Sequence, residues 1–477
     1  IAVGVGNTAK LSVGILSAYQ LYGDGQYLTN VGSASTDAWA QDSNANLVAG
    51  TGAGAALDGA NTCFNVLIGC NSGAVLTCAD NNVFLGRQAG QTATTANANV
   101  VIGCSYAVGT NTSEHDVFIG ENIANHTSNV TGGCNVVSGY YAAFALSTGK
   151  KNVFLGTRAG MGVSTGCNNI AIGEETLTGT YHTPNYSNSG NENVAIGGCF
   201  NTIKLTTGTR NIHLGSRAGM CVSTGSNNFF AGYYSGGNAV VTGANNVAIG
   251  CESAKKLDSG QYNVFLGTLA GQCATSGSSN FIGGYGAGRC NGSASQNVKI
   301  GYMSGLVGTG SHVITIGAEA GRHGTTHACS IFIGKAAGGC MCSGTANIAV
   351  GTNALLGSST LADNTAYCNI AIGYEAGKSS TTANSNTLIG HQSGQAVTTG
   401  TNNVSIGKWA GYYVTTAINN TYVGGSAGVC RQTGNNNVAI GLDAFAGSAT
   451  PGDNTGGYNT IIGATAGYVV TSGSNNT

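Results

Sequence analysis

The chain has 477 residues, of which only 7% are charged, and its net charge is −1. That balance excludes a nucleic-acid-binding surface and a disordered chain held open by like charge. Its 80 glycines lack the every-third spacing and the proline of collagen. No apolar run exceeds seven residues, too short to span a membrane.

The chain begins at Ile1 rather than Met and shows no signal peptide, so it reads as a mature product or a window of something longer. Residues 1–45 are the least regular. Gly14, Gly32 and Gly50 are spaced by 18, and Trp39 and the segment Tyr19 to Tyr27 are aromatic. This segment is predicted to be a cap or junction, and residues 46–477 a single repeat body.

The repeat is seen most clearly at Asn81-Asn82-Val83-Phe84-Leu85-Gly86-Arg87-Gln88-Ala89-Gly90. With Gly86 as position 0, Asn stands at −4, apolar residues at −3 and −1, and Ala-Gly at +3 and +4. There are 24 such register glycines from Gly50 to Gly463, and 15 of the 23 intervals are 17 residues. A fixed short period marks a repeat architecture. The stretch before each register glycine is rich in Val, Ile, Phe and Leu and reads as a strand. Seventeen residues are too few for a strand–helix unit, but fit two short strands and two corners. The expected fold is therefore all-β, a parallel β-solenoid with coils of about 17 residues, and at 4.8 Å per coil a rod of roughly 115 Å.

Each column of the repeat carries an expectation. Asn occupies −4 in 21 of 24 coils, with Asp116, Val313 and Ser330 as exceptions, so a stacked amide ladder is predicted. Assigning −3 and −1 to the lumen turns −2 outward. Yet −2 holds Phe84, Phe118, Phe154, Phe230, Phe265 and Phe332, and only His213, Lys299, Thr315, Ser405 and Tyr422 break its apolar character. A strand apolar on both sides is covered on both sides. On that assignment the six phenylalanines form an interface in a closed symmetric oligomer; the alternative is a wider solenoid whose own second strand covers −2.

Three coils are over-long. Gly173 to Gly197 spans 24 residues and contains Pro184, Asn185 and Tyr186; Gly351 to Gly373 and Gly441 to Gly463 span 22, the latter with Pro451. These insertions are predicted to project as loops and to bind partners, with Pro184, Asn185, Tyr186 and Pro451 as markers. Asn185 also opens an Asn-Tyr-Ser glycosylation sequon. Of the 16 cysteines, Cys273 and Cys290 share position +6 on adjacent coils and are a disulfide candidate, although buried free thiols pack equally well. His323, His327, Cys329, Cys340 and Cys342 are the candidate metal set, at a spacing that matches no standard finger; no metal or other cofactor enters the reading. No carboxylate pair recurs in a column, and the groupings Glu174-Glu175 and Glu114-His115-Asp116 read as turns rather than acid and base. At the ends, Ile1 and Val3 on one side and Asn476 and Thr477 on the other are predicted to stack subunits in register into a filament, the same join being covalent in a longer chain.

Asn-Val-Ala-Ile-Gly at 193–197, 246–250 and 437–441, with spacers such as Thr399-Gly400-Thr401-Asn402-Asn403, resembles the head repeats of trimeric autotransporter adhesins. It is still more similar to the Gly/Asn-rich repeats of phage-type tail-fibre proteins. The resemblance covers about residues 46–477. It implies a left-handed β-roll, three chains side by side, and a structural or adhesive role outside the cell. The expected protein is thus not an enzyme but the structural subunit of an extracellular, cell-surface or virion-surface fibre, partnered by itself as a homotrimer. Its insertions are expected to meet a host-surface glycan or protein receptor; nucleic acid and membrane are not expected partners. Three alternatives stand beside it. They are a trimeric adhesin head without filaments, a tailspike-like protein that binds or hydrolyses glycans, and an ice-binding solenoid using the paired threonines at +8 and +9 such as Thr381-Thr382 and Thr398-Thr399.

Overall fold

A computed structural model describes residues 40–42, 44–58, 61–104, 112–125, 129–179, 188–198, 200–448 and 450–477. Ile1, Val3, Trp39, Pro184, Asn185 and Tyr186 lie outside the described residues. The sequence forms a parallel β-solenoid. Among the described residues, 25 strands make one sheet. The first, β1 (Ala40–Gln41), runs antiparallel to β2 (Leu47–Ala49), and from β2 onward every strand pairs in parallel with the next strand in the chain. The register is strict: Val83, Phe84 and Leu85 lie opposite Val100, Val101 and Ile102. It survives the long coils, since Val194 pairs with Ile170 and Val438 with Thr460. Insertions are therefore absorbed outside the strand column.

The register glycine makes the corner. Gly86 has φ +129°, and a Cβ on it would lie 2.0 Å from the Gly103 carbonyl oxygen of the next coil. No other residue combines that conformation with that approach. Beyond the corner the chain runs back along a second face, again bonded coil to coil, as in Gln88 N–H to Cys70 O at 2.8 Å and Gly73 N–H to Ala89 O at 2.9 Å.

The two faces enclose one narrow lumen, and the sequence-based assignment of the strand faces is reversed. Position −2 points in, while −3 and −1 point out. Phe84, Phe118, Phe154, Phe230, Phe265 and Phe332 are each 0 or 1% exposed within their own chain. They are core residues, not an interface. The reason is the glycine at +4: a Cβ at Gly90 would sit 2.4 Å from the Phe84 ring, and one at Gly271 would sit 2.2 Å from the Phe265 ring. Each ring fills the space that the facing position leaves empty. In three coils where −2 shrinks to alanine, +4 grows. Ala171 faces Leu177, Ala349 faces Leu355 and Ala439 faces Phe445, all buried. This volume exchange holds the lumen at close-packed density. The polar members of the column are also inside. His213 stacks on Phe230 with 5.3 Å between ring centroids, and burial pushes its pKa down to about 3. The Lys299 ammonium donates to Gly305 O at 3.3 Å, and burial pushes its pKa down to about 8.

The −4 column forms the predicted ladder. In most rungs the Asn Oδ1 accepts from the backbone N–H and the Nδ2 of the next Asn, as Asn246 does from Asn263 at 3.1 and 3.0 Å. Its Nδ2 also donates to a carbonyl of the following coil, Gly260 O for Asn246 at 2.8 Å. All these groups are buried, so each bond also removes an unsatisfied polar atom. Asp116 replaces one rung. Its Oδ1 accepts from Asn135 N–H at 2.7 Å and Nδ2 at 3.0 Å, but its Oδ2 is buried without a partner. Burial raises its pKa from 3.8 to about 6, opposed by hydrogen bonds from Ser113 and Asn135.

A folded-state pKa above the unfolded value means a destabilisation that is absent below about pH 4, grows up to about pH 6, and is complete above it. Asp116→Asn is therefore expected to stabilise the protein by about 2 kcal/mol at pH 7.5, with the gain shrinking at pH 4. Urea unfolding at both values checks it; an equal effect at both would show that the carboxylate charge is not the cause.

Candidate interaction surfaces

With −2 inside, the outer side of the strand sheet consists of the −3 and −1 columns. Over 24 coils these 48 positions contain no charged residue; Thr387, Thr421, Thr460 and Ser138 are the polar ones. The stacked β-branched side chains shield one another only partly. Ile372, Ile406 and Ile440 remain 37–39% exposed. At about 60 Å² of apolar surface per position, the sheet presents on the order of 2,500 Å², well beyond the roughly 300–600 Å² of the largest patch on a typical monomer.

The two described insertions have one design. In Gly351 to Gly373 a short 3-10 turn, Leu361–Asp363, lies at the tip; in Gly441 to Gly463 it is Pro451–Asp453. Each loop closes on a buried asparagine. Asn364 accepts from Ser358 N–H at 2.9 Å and donates to Ser358 O at 2.8 Å; Asn454 repeats this with Ser448 at 2.8 and 3.1 Å. The insertions are pinned turns, with Ala362 and Asp363 exposed at the tip of the first.

The remaining predicted sites are dispersed. Among the described residues no group of three His, Cys, Asp or Glu is placed to hold a metal. His327 is buried in the lumen against Phe332, ring centroids 5.1 Å apart. Cys329 is exposed outside. His323 and Cys340 instead share a small depression with Glu319 and Arg322. The candidate set is split by the coil wall, because Cys329 sits in a turn at φ +54° that carries it outside while His327 stays in the lumen.

Cys273 and Cys290 are free, half-buried thiols. Burial and the adjacent Cys273 thiol push the Cys290 thiol up. Asn476 adds a rung to the amide ladder, its N–H donating to Asn459 Oδ1 at 3.0 Å. Thr477 is exposed.

The grouped carboxylates are engaged structurally, Glu175 with Arg158 at 2.8 Å and Glu114 with Asn97 at 3.0 Å. The +8 hydroxyls likewise bond along the stack. Thr381, Thr398 and Thr415 donate to Thr398 O, Thr415 O and Gln432 O at 3.1, 3.3 and 3.1 Å. Sequence reasoning missed the outward columns as a surface. The signal was present: each of the six phenylalanines at −2 has Gly or Ala at +4, and Ala171, Ala349 and Ala439 have Leu or Phe there.

No helix among the described residues is long and apolar enough to cross a membrane. No protein-family model matches the chain, and no characterised protein shows detectable sequence similarity to it.

Proposed function

We propose that the chain is the structural subunit of a fibre outside the cell, on a cell surface or a virion. In this reading it assembles as a homotrimer of left-handed β-rolls, with the outer strand faces packed together, and stacks end to end. The observation that carries the proposal is the uncharged apolar sheet face. Its area is several times the roughly 800 Å² per partner of a standard interface. A surface of that length, repeating at every coil, is matched by another copy with the same repeat, and a closed ring of copies leaves none of it wet. The low charge of the chain and the long ladder fit a rod whose task is mechanical. Adhesion to a host-surface receptor is its second task, with the pinned insertions as first contacts.

The test is the oligomeric state. In analytical ultracentrifugation the wild-type protein is expected to sediment as a trimer. The variant Ile372→Asp/Ile406→Asp/Ile440→Asp should sediment as a monomer with an unchanged far-UV spectrum, because the three side chains lie outside the lumen. A monomeric wild type, or a trimer that survives the triple substitution, would refute the proposal.

A further inference from the structure

Around the corner from the strand face, Gln392, Trp409, Tyr412, Tyr413 and Val429 line a surface pocket of about 310 Å³. Three successive coils contribute, at positions +2, +5 and +6. Trp409 and Tyr413 are 40 and 42% exposed, so they add little to the lumen. They are nevertheless held in place. The Trp409 indole N–H donates to Gln392 Oε1 at 2.8 Å. Gln392 Nε2 in turn donates to Glu375 Oε2 at 2.9 Å, and Glu375 is gripped by Lys378 at 2.7 Å and Gln395 at 2.6 Å. Tyr412 and Tyr413 meet edge to face with centroids 4.6 Å apart. The Lys408 ammonium stands 4.1 Å from the centre of the Trp409 ring.

We propose that this pocket binds a sugar ring of a neutral glycan. A pyranose has an apolar C–H face and a rim of hydroxyls that both donate and accept. The pocket offers the complement: fixed aromatic surface whose own polar atom is already bonded, beside the amide of Gln392 and the Tyr412 and Tyr413 hydroxyls. Glu375 and Lys378 neutralise each other, and the Lys408 ammonium lies against the Trp409 ring. The volume lies at the lower end of small-ligand pockets and suits one or two sugar rings. The order already imposed on Trp409 lowers the entropy cost of binding. This deepens the adhesive half of the function proposed above and rests on that reading for its purpose, but it moves the contact from the insertions to the coil face. The pocket is built by one chain and uses none of the −3 and −1 residues, so it survives whatever becomes of the trimer.

The chain has two tryptophans, so Trp39→Phe leaves Trp409 as the single tryptophan, which is excited selectively over the tyrosines at the red edge of the absorption band. The full chain carrying that change is titrated with methyl glycosides of glucose, galactose, mannose and N-acetylglucosamine, with the corresponding disaccharides, and with a proline-rich peptide. A saturable change in Trp409 emission is expected for at least one saccharide. Tyr413→Ala and Gln392→Ala should each weaken it by about ten-fold, Tyr413→Phe by less, and the remote Tyr302→Ala not at all. Sedimentation should be the same for all of them. Absence of saccharide binding by a trimer whose pocket is intact would overturn this proposal alone, and a monomer that still binds saccharide would overturn only the fibre. No saturable response to any saccharide, a response to the peptide alone, or saccharide binding indifferent to both Tyr413→Ala and Gln392→Ala would each overturn the assignment.

Discussion

Gly390→Ala is expected to open the coils on either side of it rather than merely weaken them. Gly390 has φ +134°, and a Cβ there would lie 2.3 Å from the Gly407 carbonyl oxygen and 2.6 Å from its carbon. The left-handed conformation alone costs about 1–3 kcal/mol for a residue with a side chain. The clash adds more, because both atoms are backbone and no rotamer change relieves it. Separating the corners by even half an ångström would pull Thr387–Ile389 off Val404–Ile406, which pair residue for residue. A loss above about 4 kcal/mol is expected. Because repeats are stabilised by their nearest neighbours, hydrogen-exchange protection should fall first in the coils flanking residue 390. Gly463→Ala is the control. Its φ is +130°, but the nearest atom to a Cβ added there is the methyl of Ala466 at 3.6 Å. It carries the strain without the clash. If Gly390→Ala is no worse than Gly463→Ala in urea unfolding, the close stacking of corners is not what demands glycine.

Phe265→Ala is expected to cost about 3–5 kcal/mol and to leave the oligomeric state unchanged. The ring is fully buried and lies over Gly271, in a lumen one side chain wide. Its removal leaves a cavity that the rigid coil cannot collapse, since every backbone group around it is hydrogen-bonded to the next coil. The alanine coils indicate the repair. Ala349 is complemented by Leu355, which adopts φ +45° at the position where Gly271 has φ +56°. Phe265→Ala/Gly271→Leu should therefore recover part of the lost stability in a double-mutant comparison. A Phe265→Ala protein that unfolds normally but no longer assembles would restore the interface reading of that column.

The parallel solenoid, its 17-residue coil, the strand ending at each register glycine and the amide ladder were legible in the chain alone, whereas the second strand expected in each coil is a run of turns with isolated bridges such as Val222 to Val241. They follow from spacing: identical residues at a fixed interval stack on one another whatever the details of the coil. The over-long intervals were legible for the same reason, as residues that the strand register has no room for. Which side of the strand faces the lumen was not read correctly, and the six phenylalanines were placed at an interface as a result. Alternation says that −2 opposes −3 and −1, but both sides are apolar here, so hydrophobicity could not choose between them. The choice rests on what stands across the lumen, glycine at +4 beneath the large rings (alanine beneath Phe118), and that is a contact between positions six residues apart that only a closed coil brings together. The metal candidates failed for a related reason, since His327 and Cys329 are separated by the coil wall although two residues apart in sequence. The Trp409 pocket was invisible for the opposite reason. Gln392, Trp409 and Val429 come from three different coils, and only stacking makes them neighbours.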